Sequence, residues 1–187
     1  MTEQLNITAM PTPNPNSVKF SVNRDLIERG SLDFPDKDSA TTSPLAASLF
    51  EIDGIIGVMV GTKFVSIVKE QDAGWENVLE PATDKIKTMI ENGDKLVDET
   101  LIEAIPTGEE DSDVVKKIKS ILDEEIRPAI AMDGGDCVFH SFEEGVLTLK
   151  LQGACSTCPA SVMTLKMGIE NRLKEDIPEL EEVIQLS

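Results

Sequence analysis

The chain has 187 residues, 40% hydrophobic and 28% charged, which is ordinary globular composition rather than that of a disordered or fibrous chain. Seventeen basic against 35 acidic residues give a net charge of −18, and aromatics amount to six Phe, one Trp and no Tyr. Such a surface repels phosphate backbones and anionic bilayers and lacks a base-stacking platform, so neither a nucleic acid nor a membrane is the expected partner. No apolar run is long enough to span a bilayer. Met1 to Met10 has neither a cationic end nor an apolar core, so a cytoplasmic location is the expectation.

In chain order, Leu5 to Met10 alternates weakly and reads as a strand. Pro11 to Asn16, with three prolines and two asparagines, must turn. Ser17 to Val22 alternates polar and apolar and predicts a second strand of a hairpin. Ser43-Pro44 caps a short helix with Leu45, Leu49 and Phe50 on one face. Ile55 to Val60, Gly61-Thr62-Lys63 and Phe64 to Val68 read as strand, tight turn, strand. From Gly74 to Asn92 apolar residues recur at helical spacing, and Gly93 is a natural stop. Residues 1–93 thus form a first domain.

Residues 94–113 hold eight acids against Lys95. Like charges at that density extend a chain, so this stretch is expected to be a solvated tether. Residues 114–187 form a second domain. Val114 to Ile126 marks a helix ended by Arg127-Pro128 or shortly after. Asp133-Gly134-Gly135-Asp136 is a turn, with the two aspartates as turn formers. Cys137 to Phe142 and Val146 to Leu151 are strands joined at Glu143-Glu144-Gly145. Gly153 to Pro159 is a loop, a helix runs on to about Asp176, and Val183 to Leu186 could add a strand. The fold class is α+β: two small sandwich-like domains, each a small sheet with helices packed on it, joined by an acidic linker.

Three cysteines and one histidine make up the soft metal-ligand inventory. Cys155-Ser156-Thr157-Cys158 is the sharp motif, since two cysteines two residues apart can put both sulfurs on one metal or cluster. The N-terminus of the helix opened by Pro159 favours thiolate. The loop thiols are expected to be exposed. Cys137, opening a strand, reads as a small buried hydrophobe. Met132, Met163 and Met167 read as filler of a core or an interface.

Three chemistries compete for this motif. Zinc could use Cys137 and His140 with Cys155 and Cys158, but residues three apart on a strand face opposite ways. A dithiol oxidoreductase would also follow a strand with CxxC and a helix, but it needs more strands than the residues after Cys158 supply. An iron–sulfur cluster commonly takes four thiolates, so two such chains would have to meet at the loop.

Gly153-Ala154-Cys155-Ser156-Thr157-Cys158-Pro159-Ala160-Ser161, with Arg127-Pro128 and Asp133-Gly134-Gly135-Asp136 upstream, resembles the C-terminal domain of NifU, the Nfu type of iron–sulfur scaffold. The stretch Met10 to Asn16 with Lys19-Phe20 resembles the Nfu N-terminal domain. Departures from the family pattern are Cys137, where an aliphatic residue is more common, and Ala160, where serine is. The resemblance implies a non-enzymatic scaffold and carrier. Cys155 and Cys158 would hold a 4Fe-4S cluster, with 2Fe-2S as the alternative type, shared between two chains of a homodimer. The cluster would come from upstream assembly machinery and pass to apo iron–sulfur proteins. The N-terminal domain has no catalytic constellation and is assigned to partner recognition or to shielding the cluster.

Overall fold

The computed structural model describes residues 4–103, 111–155 and 159–186, without the side chains of 159–161. The chain divides into two compact units, Met1–Pro106 and Thr107–Ser187, each with its own apolar core.

In the first unit, strands β1 (Ile7–Pro11), β2 (Ser17–Val22), β3 (Ser31–Phe34), β4 (Ile55–Gly61) and β5 (Phe64–Lys69) form one antiparallel sheet in the order β1-β2-β5-β4-β3. The turn between β1 and β2 is closed by its own polar groups. Thr12 Oγ1 donates to the Asn14 carbonyl at 3.0 Å, and Asn16 N donates to Asn14 Oδ1 at 3.0 Å. Lys69, buried at the end of β5, donates through Nζ to Asn16 Oδ1 at 3.3 Å and lies over the Trp75 ring. Helix α1 (Pro44–Leu49) starts as its sequence requires. Pro44 needs no hydrogen bond in the first turn, and Ser43 Oγ accepts from Ala46 N at 3.1 Å. Helix α2 (Leu79–Asn92) follows a 3₁₀ turn at Trp75–Asn77, buries Ala82 and Ile86, and ends on Gly93 at φ +71°. That left-handed conformation suits glycine.

The acidic stretch departs from the expected tether at its start. Val97 is buried in the first core, Leu96 O accepts from Leu45 N at 3.1 Å, and Asp98 N donates to Thr42 O at 2.9 Å. A short helix α3 (Glu99–Glu103) follows. Four apolar residues in an acidic run, Leu96, Val97, Leu101 and Ile102, seat it on the first unit. Residues 104–110, the middle of that stretch, lie outside the described residues.

The second unit opens with α4 (Asp113–Ile121), capped by Ser112 Oγ on Val115 N at 3.3 Å. The helical run passes through Arg127-Pro128 and ends shortly after, at Met132. Leu122–Ile126 widen into a π turn, and α5 (Arg127–Met132) continues with Pro128 in its first turn. Pro128 has no N–H and its ring crowds the carbonyl four residues back, and a wider turn there accommodates both. Strand β6 (Gly135–Glu143) pairs antiparallel with β7 (Val146–Gly153), and Glu143 faces Val146 across the two-residue turn Glu144-Gly145. Both turn residues have positive φ, the geometry that suits the right-handed twist of a hairpin. Helix α6 (Pro159–Asp176) then carries the chain over to β8 (Glu182–Gln185), which lies parallel to β7. A parallel neighbour needs such a crossover. The architecture is mixed α+β in both units, and among the described residues no helix is long and apolar enough to cross a membrane.

Candidate functional site

The β6–β7 pairing runs to Gly135 opposite Gly153, so the Asp133-Gly134 turn and the loop after β7 lie side by side. Gly134 and Gly153 both adopt positive φ, at +75° and +63°. Ala154 N donates to Gly134 O at 3.2 Å, tying the start of the cysteine loop to that turn. Cys155 follows directly and is buried among the residues of the second core, only 7% exposed. This corrects the expectation of an exposed loop thiol. The ladder persists to Gly153 and leaves Cys155 facing inward. Cys158, with Ser156 and Thr157, lies outside the described residues. The chain resumes at Pro159, the first residue of α6.

Gly135 makes room for Cys155. A Cβ on Gly135 would stand 2.9 Å from the Cys155 Cβ and 3.1 Å from the Gln152 carbonyl oxygen, and closer still to the Cys155 sulfur. Neither contact can be relieved without moving the loop.

The next residue braces the turn. Asp136, expected to be a turn former, is buried and takes both arms of Arg127: Nε to Oδ1 at 2.8 Å and Nη2 to Oδ2 at 2.7 Å. Arg127 Nη1 also reaches Asp123 at 2.8 Å, and Cys137 N donates to Asp136 Oδ1 at 2.8 Å. The Asp136 hydrogen bond holds the Arg127 guanidinium even further above neutral pH than usual. This bidentate pair fixes the direction in which β6 leaves α5. Composition offered no sign of it. Its two halves were visible only as Arg127-Pro128 and Asp133-Gly134-Gly135-Asp136, nine residues apart in the ion pair and with no pattern joining them.

Cys137 is fully buried, as its strand position led us to expect. Burial, reinforced by the Asp136 charge, pushes its thiol up to about 12. His140 is exposed at a bulge in β6, where the register slips between Phe139 and Ser141. The bulge interrupts the alternation that argued against a Cys137–His140 pair, yet burial of one and exposure of the other keep them apart. Met132, Met163 and Met167 are 71%, 63% and 58% exposed, so the core half of their expected role is wrong. Met163 and Met167 lie one turn apart on α6, which starts at the cysteine loop.

Two family models match this chain. Residues 7–93 fit the one described as the N-terminal domain of the scaffold protein Nfu/NifU, and residues 118–184 fit the NifU-like domain. The chain belongs to the Nfu/NifU family of scaffold proteins, which is not a class of enzymes. The human protein named NFU1 iron-sulfur cluster scaffold homolog, mitochondrial, is 43% identical over 183 residues, covering 96% of this chain and 71% of its own. The Drosophila erecta protein of the same name is 40% identical over 186 residues, covering 96% of this chain and 64% of its own. The chain therefore spans about two thirds of the length of these relatives. A solved NifU-like protein from Saccharomyces cerevisiae overlaps 52% of this chain and 89% of its own at 23% identity, with a TM-score of 0.46.

The expected cytoplasmic location is corrected by these relatives, both of which are named mitochondrial. The expectation rested on Met1 to Met10, and the character of ten residues, like acidity or the lack of an apolar span, does not distinguish one compartment from another.

Proposed function

We propose that this chain is an iron–sulfur cluster scaffold and carrier whose Cys155 and Cys158 hold a 4Fe-4S cluster as cargo, shared with a second copy. The observation that carries the reading is the CxxC placed between β7 and α6, in a chain whose two parts each match an Nfu/NifU domain. The chemistry agrees with it. Cys155 is pinned by the Gly134–Ala154 hydrogen bond, and Cys158 immediately precedes an 18-residue helix whose positive end favours thiolate. Two thiolates per chain leave a four-thiolate cluster half ligated, so a second chain completes the set. The cargo is received from assembly proteins and passed to apo iron–sulfur proteins.

Anaerobic reconstitution with iron and sulfide, followed by iron, sulfide and zinc analysis, tests this. The expected product is brown and air-sensitive, holds one cluster per two chains, and yields the cluster to an apo-acceptor. A colourless product with stoichiometric zinc would replace the reading with a structural zinc site. A colourless metal-free product that reduces disulfides would replace it with dithiol chemistry.

A further inference from the structure

A concavity with no role assigned so far lies in the first unit, whose residues include no cysteine. It is a cavity of about 630 Å³ between the segment after β2 and the segment leading into α3. Leu26, Ile27 and Val97, all buried, and half-buried Leu96 and Ile102 supply its apolar surface. Asp25, Glu28, Glu99 and Glu103, all exposed, supply its acidic rim. The volume is in the range that takes a few large side chains of a ligand.

The cations nearby are engaged. Lys63 lies 3.6 Å from Asp25, Lys95 lies 3.6 Å from Asp98, and Arg29 donates to the Ile102 carbonyl at 3.3 Å. Among the described residues Glu28, Glu99 and Glu103 have no ion-pair partner. Three unbalanced carboxylates around an apolar floor match a segment that combines Lys or Arg with large aliphatic side chains. They do not match the chain itself. A second copy carries −18, and the adjoining residues 104–110 contain two glutamates and no cation.

We infer that this cavity is a docking groove for a basic, amphipathic peptide segment of a protein partner. Aliphatic side chains enter over Leu26, Val97 and Ile102, and cations meet Glu28, Glu99 and Glu103. The inference goes beyond the cluster reading and does not depend on it, because the groove and its test need no cluster.

The probe is a labelled peptide of lysine and leucine in amphipathic order, titrated into the full apo chain and followed by fluorescence anisotropy and by amide shifts of the isotope-labelled protein. Shifts are expected at residues 25–28 and 96–103. The triple variant Glu28→Gln, Glu99→Gln, Glu103→Gln should bind about tenfold more weakly, the sum expected of three exposed charge pairs. The control triple Asp72→Asn, Glu80→Gln, Glu91→Gln removes the same charge from exposed positions of the same unit that do not line the groove. It should change binding by less than about twofold, the residue of long-range attraction. A lysine–glycine peptide of equal charge should bind far more weakly than the lysine–leucine one. Equal weakening in both triples, equal binding of the two peptides, or shifts centred elsewhere would each overturn the groove and leave only attraction to net charge.

Discussion

Gly135 and Cys155 share a space that holds one side chain. Gly135→Ala should force the cysteine loop outward, at a cost of about 1–3 kcal/mol for overpacking a filled site. Iron bound per chain after reconstitution should fall with it, and urea unfolding gives the stability change. Cys155→Ser and Cys158→Ser should each abolish stable cluster binding. Cys155→Ser should also lower the unfolding midpoint, because its sulfur is part of the second core. Cys137→Val should keep the cluster, since Cys137 sits within the β6–β7 ladder opposite Leu151 and fills the second core, and valine fills a similar volume. Loss of cluster from a folded Cys137→Val protein would bring Cys137 into the site. The CxxC pair was legible in the sequence because its spacing alone states its chemistry. Gly135 and the Arg127–Asp136 pair were not, because their meaning lies in which strand they meet, and no local pattern encodes that.

Among the elements, those with strong local signals appear where their residues predict them. Ser43-Pro44 starts α1, Gly93 ends α2, and the strand read at Val146 to Leu151 is present, running two residues further to Gly153. Three others were illegible in whole or in part. β3 is four residues long and exists because β4 offers an edge, Leu32 meeting Val60 and Phe34 meeting Val58. α3 sits in an acidic run that composition reads as tether. α5 runs through Pro128, which the helix accommodates by widening upstream. Ser43 shows how local and tertiary signals meet. Its hydroxyl accepts from Ala46 N at 3.1 Å and donates to Leu96 O at 2.8 Å, so one buried side chain caps α1 and holds the segment before α3. Ser43→Ala should cost about 1–2 kcal/mol, because the cap is lost and the Leu96 carbonyl keeps only its bond from Leu45 N. The unfolding midpoint of the first unit checks the magnitude. Exchange of the amide of Leu45, which donates to that same Leu96 carbonyl, checks that the 96–98 segment loosens.

At the scale of the whole molecule, charge opposes the assembly that the proposed cluster would require. An apo chain at −18 repels its copies at low salt, and two thiolates cannot close a four-thiolate cluster. Dimerisation should therefore be linked to loading: apo protein monomeric, holo protein dimeric with one cluster per two chains. The exposed pair Met163 and Met167, on the helix that leaves the cysteine loop, is available to be covered when two loops face each other. Sedimentation of both forms, with iron counted per chain, tests the linkage. Raising salt should favour the dimer by screening the repulsion, whereas a dimer built on ion pairs would weaken. Met163→Glu with Met167→Glu adds charge to exposed positions and should leave the apo chain folded and monomeric. It should lower holo dimer yield in proportion to bound iron. A holo monomer with a full cluster would require ligands other than Cys155 and Cys158. A variant that dimerises fully on loading would remove the methionine pair from the interface while leaving the cluster reading intact.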